Sequence, residues 1–154
     1  MQFTVTPVGR VESGRSDPGN TDFWGSVVSR IVIDERFGED CLVGLSDFSH
    51  VEVIFVFDQA GEKGDYRPLL RPRGRADLPE VGVFSDRGPR RPNRLGVTRC
   101  EVISARGRQL DVRGLDAVVG TPVLDLKPAM REFSPPVAAQ PPWVGELMKD
   151  YFSA

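Results

Sequence analysis

Four arginines and an asparagine, Arg87, Arg90, Arg91, Arg94 and Asn93, crowd into the 16-residue run Val81 to Gly96, VGVFSDRGPRRPNRLG. Pro89 and Pro92 hold φ at about −65° and remove two backbone donors, so the run reads as a stiff, non-helical loop that aims its guanidinium groups within a narrow range. Guanidinium forks bind phosphate or carboxylate in bidentate fashion and stack on flat rings. The chemistry on offer is recognition of an anionic or planar ligand, a nucleotide or nucleic acid first. A solvated arginine-rich loop fits the same spacing. The formal net charge of −2 hides an asymmetry: from Arg67 to Arg94 eight arginines face only Asp77, Glu80 and Asp86. The remainder must be acidic, so the field is directional and steers a polyanion to one face. RNA suits this better than a membrane surface.

Other chemistries find little support. No GxGxxG loop follows a strand, so the common nucleotide cradle is absent. His50 is the single histidine, and at the start of an apolar strand it reads as a satisfied core residue. Cys41 and Cys100 are isolated, and each reads as a small buried apolar side chain. No metal-ligand set can be assembled from them. With no nucleophile and base pair in view, a reaction driven by positioning and electrostatics is what remains.

The elements that must position these residues are mostly strands. At 154 residues the chain reads as one domain, 1–154, with a barrel over about 1–132 and a proline-rich tail and helix over 133–154. No apolar run approaches a membrane span, and MQFTVTPVGR lacks the apolar core of a signal peptide, which points to the cytoplasm. Strands are expected over Phe3–Val11, Ser26–Asp34, Val51–Phe57, Val81–Phe84, Leu95–Ile103 and Gln109–Arg113, with Ala105-Arg106-Gly107 as a hairpin turn. A short helix is expected within Asp34–Leu45. A C-terminal helix over Pro142–Tyr151 carries Trp143, Leu147 and Tyr151 on one face. The fold class is all-β: a closed six- or seven-stranded barrel with short peripheral helices and this C-terminal helix. Two long connections, Ser13–Trp24 and Gln59–Pro79, are expected beside the site. Within the second, Tyr66–Pro79 reads as an extended basic arm suited to a phosphate backbone, or as a mobile loop. Trp24 reads as a plug at the core edge; Phe23, Trp24 and Tyr66 are the aromatics available to stack on bases.

Three stretches, in order and at matching spacing, carry a family resemblance. Leu45–Asp58, LSDFSHVEVIFVFD, is similar to LEGFSHIWVLFWFH; Val81–Gly96 is similar to GVFATRSPxRPNPIG; and Val119–Met130, VGTPVLDLKPAM, is similar to DGTPVLDIKPY. Together they resemble the TsaA-like family, also called TrmO, over roughly Thr4 to Met130. The resemblance implies an S-adenosylmethionine-dependent methyltransferase built on a β-barrel, acting as a homodimer on N6 of threonylcarbamoyladenosine in tRNA, with no metal. By that resemblance Arg87 and Val97 lie against the methyl donor, and Asp58, Gln59, Val119, Gly120, Thr121 and Pro122 complete its site. Backbone amides in the glycine turn are expected to contact it. Asp125 and Lys127 alternate along one face of PVLDLKP: Asp125 would hold a ribose hydroxyl or accept a proton and Lys127 would neutralise it, unless the two are a structural ion pair. Asn93 would hydrogen-bond a base or hold the loop together. Arg90, Arg91, Arg94 and Tyr66 are the RNA-binding candidates.

The chain also departs from the family pattern. Asn20-Thr21-Asp22-Phe23 stands where a Pro-Arg-Gln-like element is usual, RPNPIG has become RPNRLG at Arg94, DGTP has become VGTP at Val119, and Ala129 replaces the closing aromatic. Two other functions stay open: a methyltransferase of the same fold acting on a small molecule or another RNA, and a non-catalytic module that binds S-adenosylmethionine or RNA.

Overall fold

Six strands close into one antiparallel barrel in the computed structural model, which describes residues 1–61 and 64–154. In chain order the strands are β1 (Gly9–Ser13), β2 (Val28–Ile33), β3 (His50–Val56), β4 (Leu69–Leu70), β5 (Val81–Gly82), β6 (Leu95–Arg106), β7 (Gln109–Arg113) and β8 (Pro122–Pro128), followed by one helix, α1 (Pro142–Met148). Around the barrel the order is β1, β2, β7, β6, β3, β8 and back to β1, while β4 and β5 pair separately as a small ribbon. Among the described residues, no helix is long and apolar enough to cross a membrane.

Two-residue alternation decides what fills the barrel. β3 turns Val51, Val53 and Phe55 inward, β2 turns Ser29, Ile31 and Ile33, and β7 turns Leu110 and Val112. Val11, Leu42, Cys100, Leu115, Ala117 and Val123 complete the core. Phe55 is fully buried and meets Phe57 edge-on, ring centroids 5.1 Å apart. Burying a side chain of that size contributes about 1.5–3 kcal/mol. Gly96, directly across from Phe55 on β6, makes room for the ring: a Cβ there would stand 2.5 Å from it. Outward positions carry charge instead, as in the Glu52–Arg99 pair at 2.6 Å across β3 and β6.

Several boundaries differ from the sequence expectation. The first strand starts at Gly9, and Phe3 and Val5 are exposed, because β8 offers β1 only two paired positions, Gly9–Val123 and Arg10–Pro122. Val81–Phe84 is cut to two residues of ribbon followed by a 3-10 turn. The expected helix within Asp34–Leu45 is a 3-10 turn over Glu35–Phe37, capped by the Asp34 carboxylate on the Arg36 amide. β6 runs through Arg106, so the hairpin turns on Gly107-Arg108, with Gly107 at φ +54. The Tyr66–Pro79 arm is folded, not extended: it contains β4 and a 3-10 turn, and Arg71 donates to the Leu78 carbonyl at 2.5 Å. Glu62 and Lys63 of the same connection lie outside the described residues. His50 is exposed at the head of β3, and Cys41 is exposed as well, so neither is a core residue; Cys41 sits on the turn-rich β2–β3 connection, not on a strand. The C-terminal helix ends at Met148, with Leu147 buried and Tyr151 in the turn beyond it.

Two outcomes test this packing. Gly96→Ala should lower stability by about 1–3 kcal/mol in chemical denaturation, the usual cost of overpacking a filled core. Burial, with the Asp116 charge adding to it, pushes the Cys100 thiol well above its ordinary range. A thiol reagent at mildly alkaline pH should therefore label Cys41 alone in the native protein and reach Cys100 only after unfolding.

Candidate functional site

Antiparallel order brings the tails of β1, β3 and β7 and the heads of β2, β6 and β8 to one end of the barrel. The connections 14–27, 57–94 and 114–121 therefore meet there, and they hold most of the residues singled out from the sequence. Asp58 and Gln59 leave β3 exposed, and the Gln59 amide hangs over Gly120, 4.0 Å from where a Cβ would be. Gly120 has φ +92, a left-handed conformation that a side chain would strain. Its turn is wired inward: the amides of Val119, Gly120 and Thr121 donate to the carbonyls of Arg15, Val11 and Val118 at 2.8, 2.8 and 3.1 Å. The expected amide donors are thus taken, and the turn presents the carbonyls of Val119 and Gly120, which have no partner among the described residues. Such a turn suits hydroxyl, amino or cationic groups. Gly120 and Pro122 also line a shallow groove of about 500 Å³ over β1, together with Arg10 and Arg108; Asp58, Gln59, Arg87 and Val97 are not among its walls.

Arg87 is held by a different feature. The Phe57 amide bonds the Arg94 carbonyl at 2.8 Å, which fixes the alternation of the β3–β6 ladder and turns the amide and carbonyl of Val97 away from β3. On that far side β7 stops at Arg113, opposite Glu101, so residues 95–100 of β6 have no strand beside them. Arg87 fills the gap and donates to the Val97 carbonyl. One position further, Thr98 Oγ1 donates to Asp116, whose other carboxylate oxygen accepts from the Tyr151 hydroxyl at 2.6 Å.

The other arginines show a common pattern. Arg91 donates to the Asp86 carbonyl at 2.9 Å and Arg94 to the Gly61 carbonyl at 2.7 Å, as Arg71 does to Leu78. A carbonyl orients a guanidinium without neutralising it, so these loops are held by their arginines and remain cationic. Within the 57–94 connection, among the described residues, only Arg73, on Asp22 at 2.8 Å, and Arg75, on Asp77 at 2.5 Å, are paired with carboxylates. Arg90, Asn93 and Tyr66 make no side-chain hydrogen bond among the described residues; Asn93 is exposed and does not tie the loop.

Asp125 and Lys127 do share a face and form an ion pair at 3.1 Å, both about half exposed. They lie on the outer wall of β8, where Asp125, Ile54 and Val97 form one cross-strand row. An exposed pair of this kind is worth about 0–1 kcal/mol. The pair stands along the barrel wall from the glycine turn.

Sequence reasoning missed the residues that join the loops. Arg15 donates to the carbonyls of Asp22 and Phe23 at 2.7 Å each and lies 3.9 Å over the Trp24 ring; Trp24, the expected plug, is buried. Arg73 reaches across from the second long connection to Asp22 in the first. Asp116, flanked by buried Leu115 and Ala117, had a signal in retrospect: a lone carboxylate in an apolar stretch must find donors.

Arg94 sits at φ +51. Proline cannot reach that region, so RPNRLG in place of RPNPIG accompanies a backbone of its own here. Arg94→Gly should fold at least as stably as the parent, relieving about 1 kcal/mol of left-handed strain against the lost Gly61 contact. Arg94→Pro should destabilise by clearly more than that in the same denaturation assay.

Comparison with known proteins agrees with this fold. The profile of the tRNA-methyltransferase O N-terminal domain family matches residues 11–134. A rat tRNA (adenine(37)-N6)-methyltransferase is 38% identical over 103 residues, covering 67% of this chain and 23% of that protein. A probable S-adenosyl-L-methionine-binding protein of Methanothermobacter thermautotrophicus is 38% identical over 131 residues, covering 83% of this chain and 90% of that protein. The crystal structure of TrmO from Pseudomonas aeruginosa superposes with a TM-score of 0.73 at 25% identity, over 91% of this chain and 61% of that one. The chain thus spans under a quarter of the rat protein. Matched over most of its length by the family profile, it belongs to the tRNA-methyltransferase O N-terminal domain family.

Proposed function

We propose that this chain is an S-adenosylmethionine-dependent methyltransferase whose acceptor is N6 of threonylcarbamoyladenosine in tRNA. The observation that carries the reading is the meeting of the three family stretches at one barrel end, with Gln59 over Gly120 and Arg87 on Val97. The residues present fit the methyl donor. The open carbonyls of Val119 and Gly120 suit its ribose hydroxyls, amino groups or positive charge; Gln59 borders the same turn with Asp58 next to it in sequence, Thr121 and Pro122 follow it, and Arg87 suits its carboxylate. When bound, that cofactor supplies a methyl group on a positively charged sulfur. The protein must align N6 with that methyl, take up its proton and keep water out. Asp125 is our candidate proton acceptor, with Lys127 beside it balancing the charge, and Asn93 is exposed on the loop that faces the base.

Arg90, Arg91, Arg94 and Tyr66 would meet the RNA. Three of them are arginines with no carboxylate partner among the described residues, a cationic surface suited to phosphate. We further propose a cytoplasmic homodimer: Phe84, Leu95, Val97 and Phe133 leave large apolar side chains exposed that a second copy would cover.

Calorimetry with S-adenosylmethionine and S-adenosylhomocysteine should give micromolar or tighter binding, and Arg87→Ala should weaken it by about tenfold, or about 1.4 kcal/mol. Labelled methyl transfer should then reach tRNA that carries threonylcarbamoyladenosine and spare tRNA that lacks it, with RNA affinity falling steeply as salt rises. Absence of donor binding in the presence and absence of tRNA would sink the enzyme reading; donor binding without tRNA methylation would move it to another acceptor.

A further inference from the structure

The family match ends at residue 134, yet residues 150–152 return to the loop end of the barrel. The Phe23 amide donates to the Asp150 carbonyl at 3.0 Å and the Trp24 amide to the Tyr151 carbonyl at 2.8 Å, so the tail runs as a partner to the first long connection. The approach is close enough to exclude any side chain at Gly25, where a Cβ would fall 1.9 Å from the Phe152 carbonyl oxygen. From there the Tyr151 hydroxyl reaches Asp116, and through it Thr98 on the unpaired length of β6. The Arg73 guanidinium lies 5.7 Å from the centre of the Tyr151 ring while its fork holds Asp22 at 2.8 and 3.2 Å.

We infer that Tyr151 is a positioning residue for the site: its hydroxyl on Asp116, its ring by Arg73 and its carbonyl on Trp24 seat both long connections against the open edge of β6, where Arg87 is held. Each attachment acts on a different piece of chain. Asp116 fixes the tail to the barrel, Arg73 fixes the folded arm to the tail and to Asp22, and Trp24 fixes the first connection. The hydroxyl is built to stay a donor: burial first and the Asp116 charge second push it up, outweighing the downward pull of Arg73 and Arg87. That Arg87 is felt there is expected of a guanidinium bonded one residue from Thr98. The consequence for donor binding rests on the proposed function; the seating of the loops does not.

The test uses the full chain with Tyr151→Phe, which removes only the hydroxyl, and reads hydrogen exchange and donor affinity. Exchange at the Trp24 amide and across residues 71–78 should rise about tenfold or more, while β3 amides stay protected. Affinity for S-adenosylmethionine should fall about 5- to 20-fold, and adding Tyr151→Phe to Arg87→Ala should cost little more, because the two act through one arrangement. Unchanged exchange in both connections, or affinity losses that multiply in the double variant, would overturn the inference. If the parent protein binds no donor, the proposed function falls and the exchange data alone decide. Should Tyr151→Phe fail to fold, Asp116→Asn, which keeps the shape but drops the charge, is expected to give the same loosening, and protection unchanged from the parent would count against us.

Discussion

An antiparallel ladder must satisfy the backbone groups on both of its edges, and β6 has a strand along only about half of each side. β3 lies along it from Leu95 to Glu101, but β7 is shorter and stops at Arg113. Left bare, that edge would invite a foreign strand or leave carbonyls unpaired. Here Arg87 closes it on the Val97 carbonyl, and Asp116 anchors the next position through the Thr98 side-chain hydroxyl. The arginine-rich loop meets the backbone of this edge through Arg87, and the 114–121 connection and the C-terminal tail meet it beside that point through Asp116 and Thr98. The site is thus a by-product of how the barrel closes.

Closure in turn depends on tight packing behind that edge. Phe55 occupies the space that Gly96 vacates, so the backbone of β6 can lie close over the core just where its outer edge turns to Arg87. Rigid walls and side-chain-filled gaps are what allow long connections to hold a fixed shape without regular structure.

Much of this was legible in the residues. Apolar and β-branched runs bounded by breakers marked β2, β3, β6 and β7, each of which lays one face on the core. The stiff loop between Pro89 and Pro92 and the glycine turn at Gly120 announced themselves through residues with few conformations or unusual ones. Phe3–Val8 misled for the opposite reason: its pattern suits a strand, but a strand also needs a neighbour, and pattern carries no information about the neighbour. The same holds for Tyr66–Pro79, whose folding comes from Arg71 and Arg73 reaching carbonyl and carboxylate partners, one of them 51 residues away. Donor status of the glycine turn was invisible too, since glycine shows that a turn exists but not which way its amides point.

The difference between arginines on carbonyls and arginines on carboxylates has one more effect. A carbonyl carries a dipole and no net charge, so the bonds from Arg71, Arg87, Arg91 and Arg94 are little weakened by salt. The carboxylate pairs are not spared: the Coulomb part of the partly exposed Arg73–Asp22 and Arg75–Asp77 links is screened as ionic strength rises. Salt therefore loosens the folded arm from the first connection at Asp22 before it disturbs the cationic loop beside β6, a graded opening set by which oxygen each arginine chose.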